Sequence, residues 1–211
     1  MDPVVARKTW RTLEPLHGII YFAAEREEMF ESLGLRSEHG YFVTRAAAMG
    51  AVGAEVVVAT FFNFHPGFVH AAMRDAWSLT TPGKAVAVRT ETAGRMLRRI
   101  LGDEAVTSTA MREAAAIARD AAEEATLRPE GRALFAGHAA LDWPPDDEPH
   151  VVLWHAQTLL REYRGDAHVA ALAMEGVTGC EALVLHAATG DVSPRVLQAS
   201  RRWSDDEWAA T

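Results

Sequence analysis

The segment 150–169 carries the densest set of side chains that could do chemistry. His155 and Glu162 are seven residues apart, so on a helix they differ by only about 20° around the axis. Leu159 lies between them, which predicts partial burial, and burial shifts pKa values. The pair could transfer protons or hold a ligand. The commoner alternatives are a buried hydrogen bond that fixes the helix register, or exposure to solvent.

The dipeptide Gly165-Asp166 predicts an interruption of this helix. Glycine would end one helix, and the Asp166 carboxylate would cap the next by accepting a backbone N–H near His168. Arg161 and Arg164 would lie on the turn before the break, where two guanidiniums beside a helix N-terminus favour a carboxylate or phosphate ligand. Ion pairs between these arginines and the neighbouring carboxylates are the alternative.

A second group of candidates is Asn63 and His65, which stand among four phenylalanines between residues 61 and 68. Arg45 follows two aromatic residues in another segment. A pocket with an aromatic wall and a few convergent polar groups is the usual form of a small-molecule site. The alternative is that Asn63 or His65 caps a helix beginning at Pro66.

Other kinds of site have little support. The sequence has no His-Glu-x-x-His, no paired cysteines and no EF-hand loop. His65 and His70, like His150 and His155, are five residues apart, a poor helical spacing for two ligands. The single cysteine, Cys180, excludes an intrachain disulfide. We therefore predict no metal site and leave the cofactor unknown.

Helix signals dominate the elements that must position these residues. The apolar run Glu55–Phe62 fits a buried strand or a buried helix, and we predict a central core helix because its neighbours are helical. The fold class is all-α, a globular domain of about ten short helices. Two similar stretches, Tyr41–Gly50 and Ala182–Gly190, suggest two pseudo-repeated halves. Helix starts are predicted at Asp2-Pro3, Thr81-Pro82, Pro129-Glu130, Pro149-His150 and Ser193-Pro194.

Composition limits the class of protein. The 211 residues include 29 acidic and 21 basic ones, a net charge of −8, which argues against sequence-independent binding to nucleic acid. No apolar run reaches the roughly 20 residues of a membrane span, and Met1-Asp2-Pro3 does not begin a secretory signal. We expect a cytoplasmic protein without membrane contact. We divide it into a helical N-terminal half, 1–127, a connecting segment, 128–149, and a helical C-terminal half, 150–211.

Five stretches together carry a family resemblance: Leu13–Gly18, Gly40–Ala47, Ala59–Phe64, Leu160–Val169 and Glu181–Ala188. They resemble an uncharacterised family of helix-turn-helix proteins from high-GC Gram-positive bacteria. The resemblance implies a C-terminal part similar to winged-helix regulators, after a Trp-Ser-x-x-x-Trp segment that is Trp203–Trp208 here. The sequence ends three residues later, so we expect a truncated chain for which DNA binding is doubtful. The resemblance implies no substrate and no catalytic residues.

The leading hypothesis is a ligand-sensing or interaction domain related to helix-turn-helix regulators. Its ligand would be a small molecule, and one version of the hypothesis makes that molecule an anion. The rival is an all-helical enzyme that uses a His/Glu acid–base pair, or a histidine-bound metal or haem. A structural homodimer is the third alternative. The predicted ligand-binding residues are Arg45, Asn63, His65, His155, Glu162, Arg164, Asp166 and His168.

Overall fold

The structure, a computed structural model, describes residues 2–211, and no strand occurs among them. About 75% of this described part is helical, and eleven of its helices have seven or more residues, which confirms the all-α prediction. The helices are α1 (Pro3–Gly18), α2 (Glu25–Ser32), α3 (Ser37–Ala46), α4 (Ala54–Thr60), α5 (Pro66–Met73), α6 (Ala76–Leu79), α7 (Pro82–Leu101), α8 (Asp103–Val106), α9 (Thr109–Thr126), α10 (Ala133–Ala139), α11 (Pro149–Met174), α12 (Gly179–Ala188), α13 (Pro194–Arg201) and α14 (Asp205–Ala210), with 3-10 turns at Ile19–Tyr21 and Ala47–Met49.

Local capping signals set most of the helix starts. The Asp2 carboxylate accepts a hydrogen bond from the first turn of α1, and Thr81 does the same for α7. Proline begins α11 at Pro149 and α13 at Pro194, where its missing N–H has no partner to lose. These four predicted starts are confirmed.

The start predicted at Pro129-Glu130 is wrong. The chain turns there through Gly131, whose φ of 70° lies in the left-handed region, and α10 begins only at Ala133. The segment 128–149 thus contains a helix of its own, and Phe135 on that helix is fully buried.

Helix α4 confirms the helical prediction for the run Glu55–Phe62. Val57 on α4 and Phe61 just after it are buried, whereas Val56 is exposed. The apolar run therefore packs on one side and does not form a helix buried all round. Its buried side ends beside Asn63, which brings that residue to the wall of a cavity.

Helix α11 is the central element, and two hydrophobic clusters meet on it. Trp154 belongs to a cluster formed mainly by α2 to α7, whereas Leu159 packs with Phe135 and the alanines of α9. Every residue from Pro149 to Leu159 is buried, and so is Glu162. The first half of α11 is therefore held rigidly, which fixes the positions of the side chains that follow.

The predicted interruption at Gly165 is wrong, because α11 runs unbroken to Met174. Glycine inside a helix costs only about 1 kcal/mol relative to alanine, and the tertiary packing of the buried half of α11 outweighs that cost. Asp166 does not cap a following helix. Its carboxylate accepts a hydrogen bond from the backbone N–H of Phe135, at 3.0 Å, and so caps the first turn of α10.

The close approach of α12 to the end of α4 requires glycine at position 179. A Cβ placed on Gly179 would lie 2.2 Å from the carbonyl oxygen of Phe62. We expect Gly179→Ala to lower the free energy of unfolding by about 3 kcal/mol, since backbone must move to relieve the overlap. Urea unfolding followed by circular dichroism measures it.

Gly83→Ala is the matched control, because a Cβ on Gly83 meets no atom within 4 Å. This substitution in the first turn of α7 should leave the protein as stable as the wild type or slightly more stable. Equal stability of Gly179→Ala and wild type would contradict the close packing of α12 on α4.

Candidate anion-binding site

A buried ion pair joins α3 to α11. One Nη of Arg45 donates to both carboxylate oxygens of Glu162, at 2.6 and 2.7 Å, and both side chains are almost fully buried. The Arg45 guanidinium also lies 4.7 Å from the centre of the Phe61 ring. Burial raises the pKa of Glu162, but the positive charges of Arg45 and Arg161 outweigh it and hold that pKa at about 2.

Arg161 and Glu14 extend this pair towards the surface. Arg161 donates through Nε to Glu14 at 2.9 Å and through Nη1 to Glu162 at 3.1 Å. Arg164, one turn further along α11, lies 3.9 Å from Glu14 and is half exposed. The two carboxylates are thus shared among three guanidiniums, so this part of the protein carries excess positive charge.

Tyr41 stands at the centre of the arginines. Its hydroxyl oxygen accepts a hydrogen bond of 2.5 Å from Arg45. Burial raises the pKa of Tyr41, but the charges of Arg45, Arg161 and Arg201 outweigh it, and the net effect lowers the pKa. This phenol therefore lies among guanidinium groups that stabilise negative charge.

Six of the eight residues predicted from sequence line one cavity of about 660 Å³, which we call the α11 cavity. Burial raises the pKa of Asp166 and lowers that of His168 at its wall. Further lining residues include Tyr41, Phe61, Phe64, Arg161 and Arg201. The six are Arg45, Asn63, Glu162, Arg164, Asp166 and His168.

His65 does not line the α11 cavity. Its Nδ1 accepts a hydrogen bond from the backbone N–H of Gly67 at 3.1 Å, so His65 caps α5. Since Nδ1 is the acceptor, Nε2 carries the proton of the neutral ring and donates to Glu207 at 3.2 Å. The sequence allowed His65 to be either a ligand-binding residue or a helix cap, and the structure supports the helix cap.

His155 also lies away from the cavity. Its ring packs edge-to-face on Trp143 at 4.8 Å, and burial lowers its pKa to about 4. A separation of seven residues places it about 10 Å from Glu162 along the axis of α11, and Glu162 is bound to arginines. The two residues share a helix face but form no acid–base pair.

A second cavity of about 710 Å³ adjoins the first, and we call it the aromatic cavity. The two cavities share four lining residues, Tyr41, Phe64, Arg161 and Arg201. These four side chains therefore form the boundary between them, and a molecule in either cavity meets the same guanidiniums.

Arg201, at the end of α13, is the functional candidate that sequence reasoning missed. Its guanidinium lies 4.5 Å from the centre of the Phe64 ring, its Nη1 donates to Ser200, and its buried Nε has no hydrogen-bond partner. Among residues 2–211, no carboxylate lies within 4.0 Å of it. Burial lowers its pKa, and the neighbouring charges of Arg45 and Arg161 lower it further.

No local signal distinguishes Arg201 in the sequence. The neighbouring Arg202 is exposed and pairs with Glu38 at 3.6 Å, although both arginines end the same helix. The two arginines are placed by contacts with Phe64, His65 and Glu38, all more than 100 positions away in the sequence.

A buried polar chain also supports the wall of the aromatic cavity. The Thr158 hydroxyl donates to the Trp154 carbonyl, so it must accept from His17 Nδ1 at 3.0 Å. The pKa of His17 is lowered well below its usual value, first by burial, so the ring is neutral and its Nε2 accepts from the Tyr21 hydroxyl at 3.1 Å. Arg89 donates to the same hydroxyl at 2.9 Å.

This chain was partly visible in the sequence. His17 and Tyr21 are four residues apart, the spacing of neighbours on a helix surface. The partners Thr158 and Arg89 come from α11 and α7, so the sequence alone does not reveal them.

Within residues 2–211, no group of three or more His, Cys, Asp or Glu side chains could hold a metal ion. In the same part of the chain, no single helix is long and apolar enough to cross a membrane. Two pairs of helices bent by 94° and 105° pass that test on length and composition together.

Fold and site together define an all-α domain in which two adjoining cavities meet at a cluster of arginines. The chain belongs to a helix-turn-helix family, whose model matches residues 6–211. No curated protein and no solved structure matches it. One helix–turn–helix succession is formed by α12 and α13, which pack together and are joined by the turn 189–193.

Proposed function

We propose that this chain is a ligand-binding domain related to helix-turn-helix regulators, and that it binds a small anionic molecule at the boundary of the two cavities. The observation that carries the proposal is Arg201, which lines both cavities, has a buried Nε without a hydrogen-bond partner and has no carboxylate partner among residues 2–211. A buried cation that lacks a partner is costly, and an anionic ligand would offset that cost.

The charges around the boundary support an anion in particular. Arg45 is neutralised by Glu162, and Arg161 is shared between Glu162 and Glu14. Arg164 lies 3.9 Å from Glu14, and Arg201 has no carboxylate partner among residues 2–211. Four guanidiniums therefore face two carboxylates, which leaves a surplus of positive charge. A carboxylate or phosphate matches the planar donor geometry of arginine, and charge-assisted hydrogen bonds are the stronger ones.

The binding of DNA by this chain stays doubtful in our proposal. Of the arginines at the end of α13, Arg201 turns inwards to Phe64, and Arg202 pairs with Glu38. Helix α14 begins with three acidic residues, and the whole chain has a net charge of −8. Phosphate backbones are bound by clustered positive charge, and the surface near α13 offers little of it.

The acid–base pair of the enzyme alternative is not formed, because His155 and Glu162 contact different neighbours. The other version of that alternative, a histidine-bound metal or haem, remains a prediction. The homodimer and the cytoplasmic location remain predictions.

Substitution of Arg201 tests the proposal. Small carboxylates and phosphates, including acetate, inorganic phosphate and 1-naphthoate, would be titrated into the protein by calorimetry. We expect at least one of them to bind, and Arg201→Gln to weaken that binding about tenfold, since a charged hydrogen bond contributes about 1.5–3 kcal/mol.

Arg195→Gln is the matched control. Arg195 is on the same helix, is exposed and lines neither cavity, so this variant should bind like the wild type. If no anion binds, or if Arg201→Gln and Arg195→Gln bind equally well, the proposal is wrong.

A further inference from the structure

We infer that the ligand is an aromatic acid, whose carboxylate meets Arg201 and Arg161 and whose ring lies in the aromatic cavity. The inference rests on the proposed function and adds the chemical class of the ligand. The observation that supports it is the wall of the aromatic cavity, which is lined mainly by aromatic side chains and arginines.

Aromatic side chains dominate the inner wall of this cavity. The Phe42 ring lies 4.8 Å from Phe64 and 5.2 Å from Phe68, in edge-to-face geometry with both. Tyr41 meets Tyr21 in the same way, at 5.0 Å. Edge-to-face and offset contacts are the arrangements that aromatic rings prefer, so a planar ligand ring can continue the same packing.

Positive charge lies at the edges of this wall. Arg36 and Arg201 both line the aromatic cavity, and neither has a carboxylate within 4.0 Å in the part of the chain that the structure describes. The acidic lining residues are already engaged, since Glu14 pairs with Arg161 and Glu38 with Arg202. An anionic group entering here therefore meets unpaired cations and neutralised carboxylates.

The size of the site agrees with a ligand of one or two rings. A cavity of about 710 Å³ falls within the range of pockets that bind small molecules. Arg201 contacts the face of Phe64 at the cavity boundary, so a ring seated on the aromatic wall can place its carboxylate against the guanidinium. A short aliphatic acid would contact the arginine and leave the aromatic wall uncovered.

Calorimetry on the full chain with three related ligands tests whether the ligand is an aromatic acid. The ligands are 1-naphthoate, its neutral analogue 1-naphthalenemethanol, and acetate. We expect 1-naphthoate to bind at least tenfold more tightly than either of the others, since it alone has both the ring and the charge. Inorganic phosphate, an anion without a ring, should bind no better than acetate.

Two variants separate the contribution of the ligand's ring from that of its carboxylate. Phe68→Leu should weaken 1-naphthoate about fivefold through the lost ring contact and leave acetate unchanged, whereas Arg201→Gln should weaken both. The comparison of ligands on the wild type needs no variant. It therefore tests the aromatic-acid assignment even if Phe68→Leu is unstable.

The outcomes distinguish this inference from the proposed function. If acetate or phosphate binds as tightly as 1-naphthoate and still depends on Arg201, the aromatic class is wrong and the anion site stands. If 1-naphthalenemethanol binds as tightly as 1-naphthoate, the carboxylate assignment is wrong. If no anion depends on Arg201, both proposals fall.

Discussion

Glu162→Gln is expected to lower the free energy of unfolding by about 3–5 kcal/mol, the usual cost of breaking a buried ion pair. The substitution keeps the size of the side chain and removes its charge. Arg45 then stays buried with its positive charge unbalanced, although Tyr41 still accepts one of its hydrogen bonds. Urea unfolding at pH 7, followed by tryptophan fluorescence, measures the loss.

Two further variants show whether the loss comes from the buried charge. Glu123→Gln removes a partner of the more exposed pair with Arg119, at 3.3 Å, and should cost less than about 1 kcal/mol. The double variant Arg45→Met with Glu162→Leu removes both charges and should recover most of the stability lost in Glu162→Gln. A Glu162→Gln protein within 1 kcal/mol of the wild type, on the scale of exposed pairs, would contradict a buried pair.

Acidification from pH 7 to pH 5 should destabilise the protein by about 6 kcal/mol, a large part of the stability of an ordinary domain. His17, His138 and His155 are all buried, and burial is the first cause that lowers the pKa of each, to about 3 for His138 and about 4 for His155. In the unfolded chain each has a pKa near 6.5, so it binds a proton as the pH falls through that value.

The sign of the effect follows from these pKa values. Below pH 6.5 the unfolded state takes up protons that the folded state does not, so stability is lost as the pH falls towards the folded pKa. At pH 5, proton uptake by the unfolded state accounts for a loss of about 2 kcal/mol for each of these three histidines. The lowered pKa of Glu162 affects stability in a different pH range. Its contribution to the free energy of unfolding is complete above about pH 4.5 and is lost only below that value.

The control for this prediction is an exposed histidine. His70 is half exposed beside Glu55, so His70→Gln should change the pH dependence far less than His138→Gln, which should reduce it by about one third. Urea unfolding at pH 7, 6 and 5 gives the dependence. Constant stability over this range would show that the three histidines are not buried in neutral form.

Part of the candidate site could be predicted because helices repeat at short range. The shared helix face of residues 155 and 162 correctly indicated that Glu162 is buried, and the aromatic residues near Arg45 correctly indicated an aromatic wall. The prediction of a helix break at Gly165 failed because it too used only short-range signals. Propensity and capping signals describe one segment at a time, and tertiary packing of α11 overrode them.

The sequence by itself determined the helical class and most helix starts, because caps, prolines and apolar periodicity act between residues within a few positions of one another. Only the tertiary structure decided which charges are neutralised. Arg45 and Glu162 are 117 residues apart, and Arg201 is without a carboxylate partner in the described chain while its neighbour Arg202 has one. The cost of burying a charge depends on what the rest of the fold places beside it, so the surplus positive charge at the cavity boundary is a property of the assembled helices.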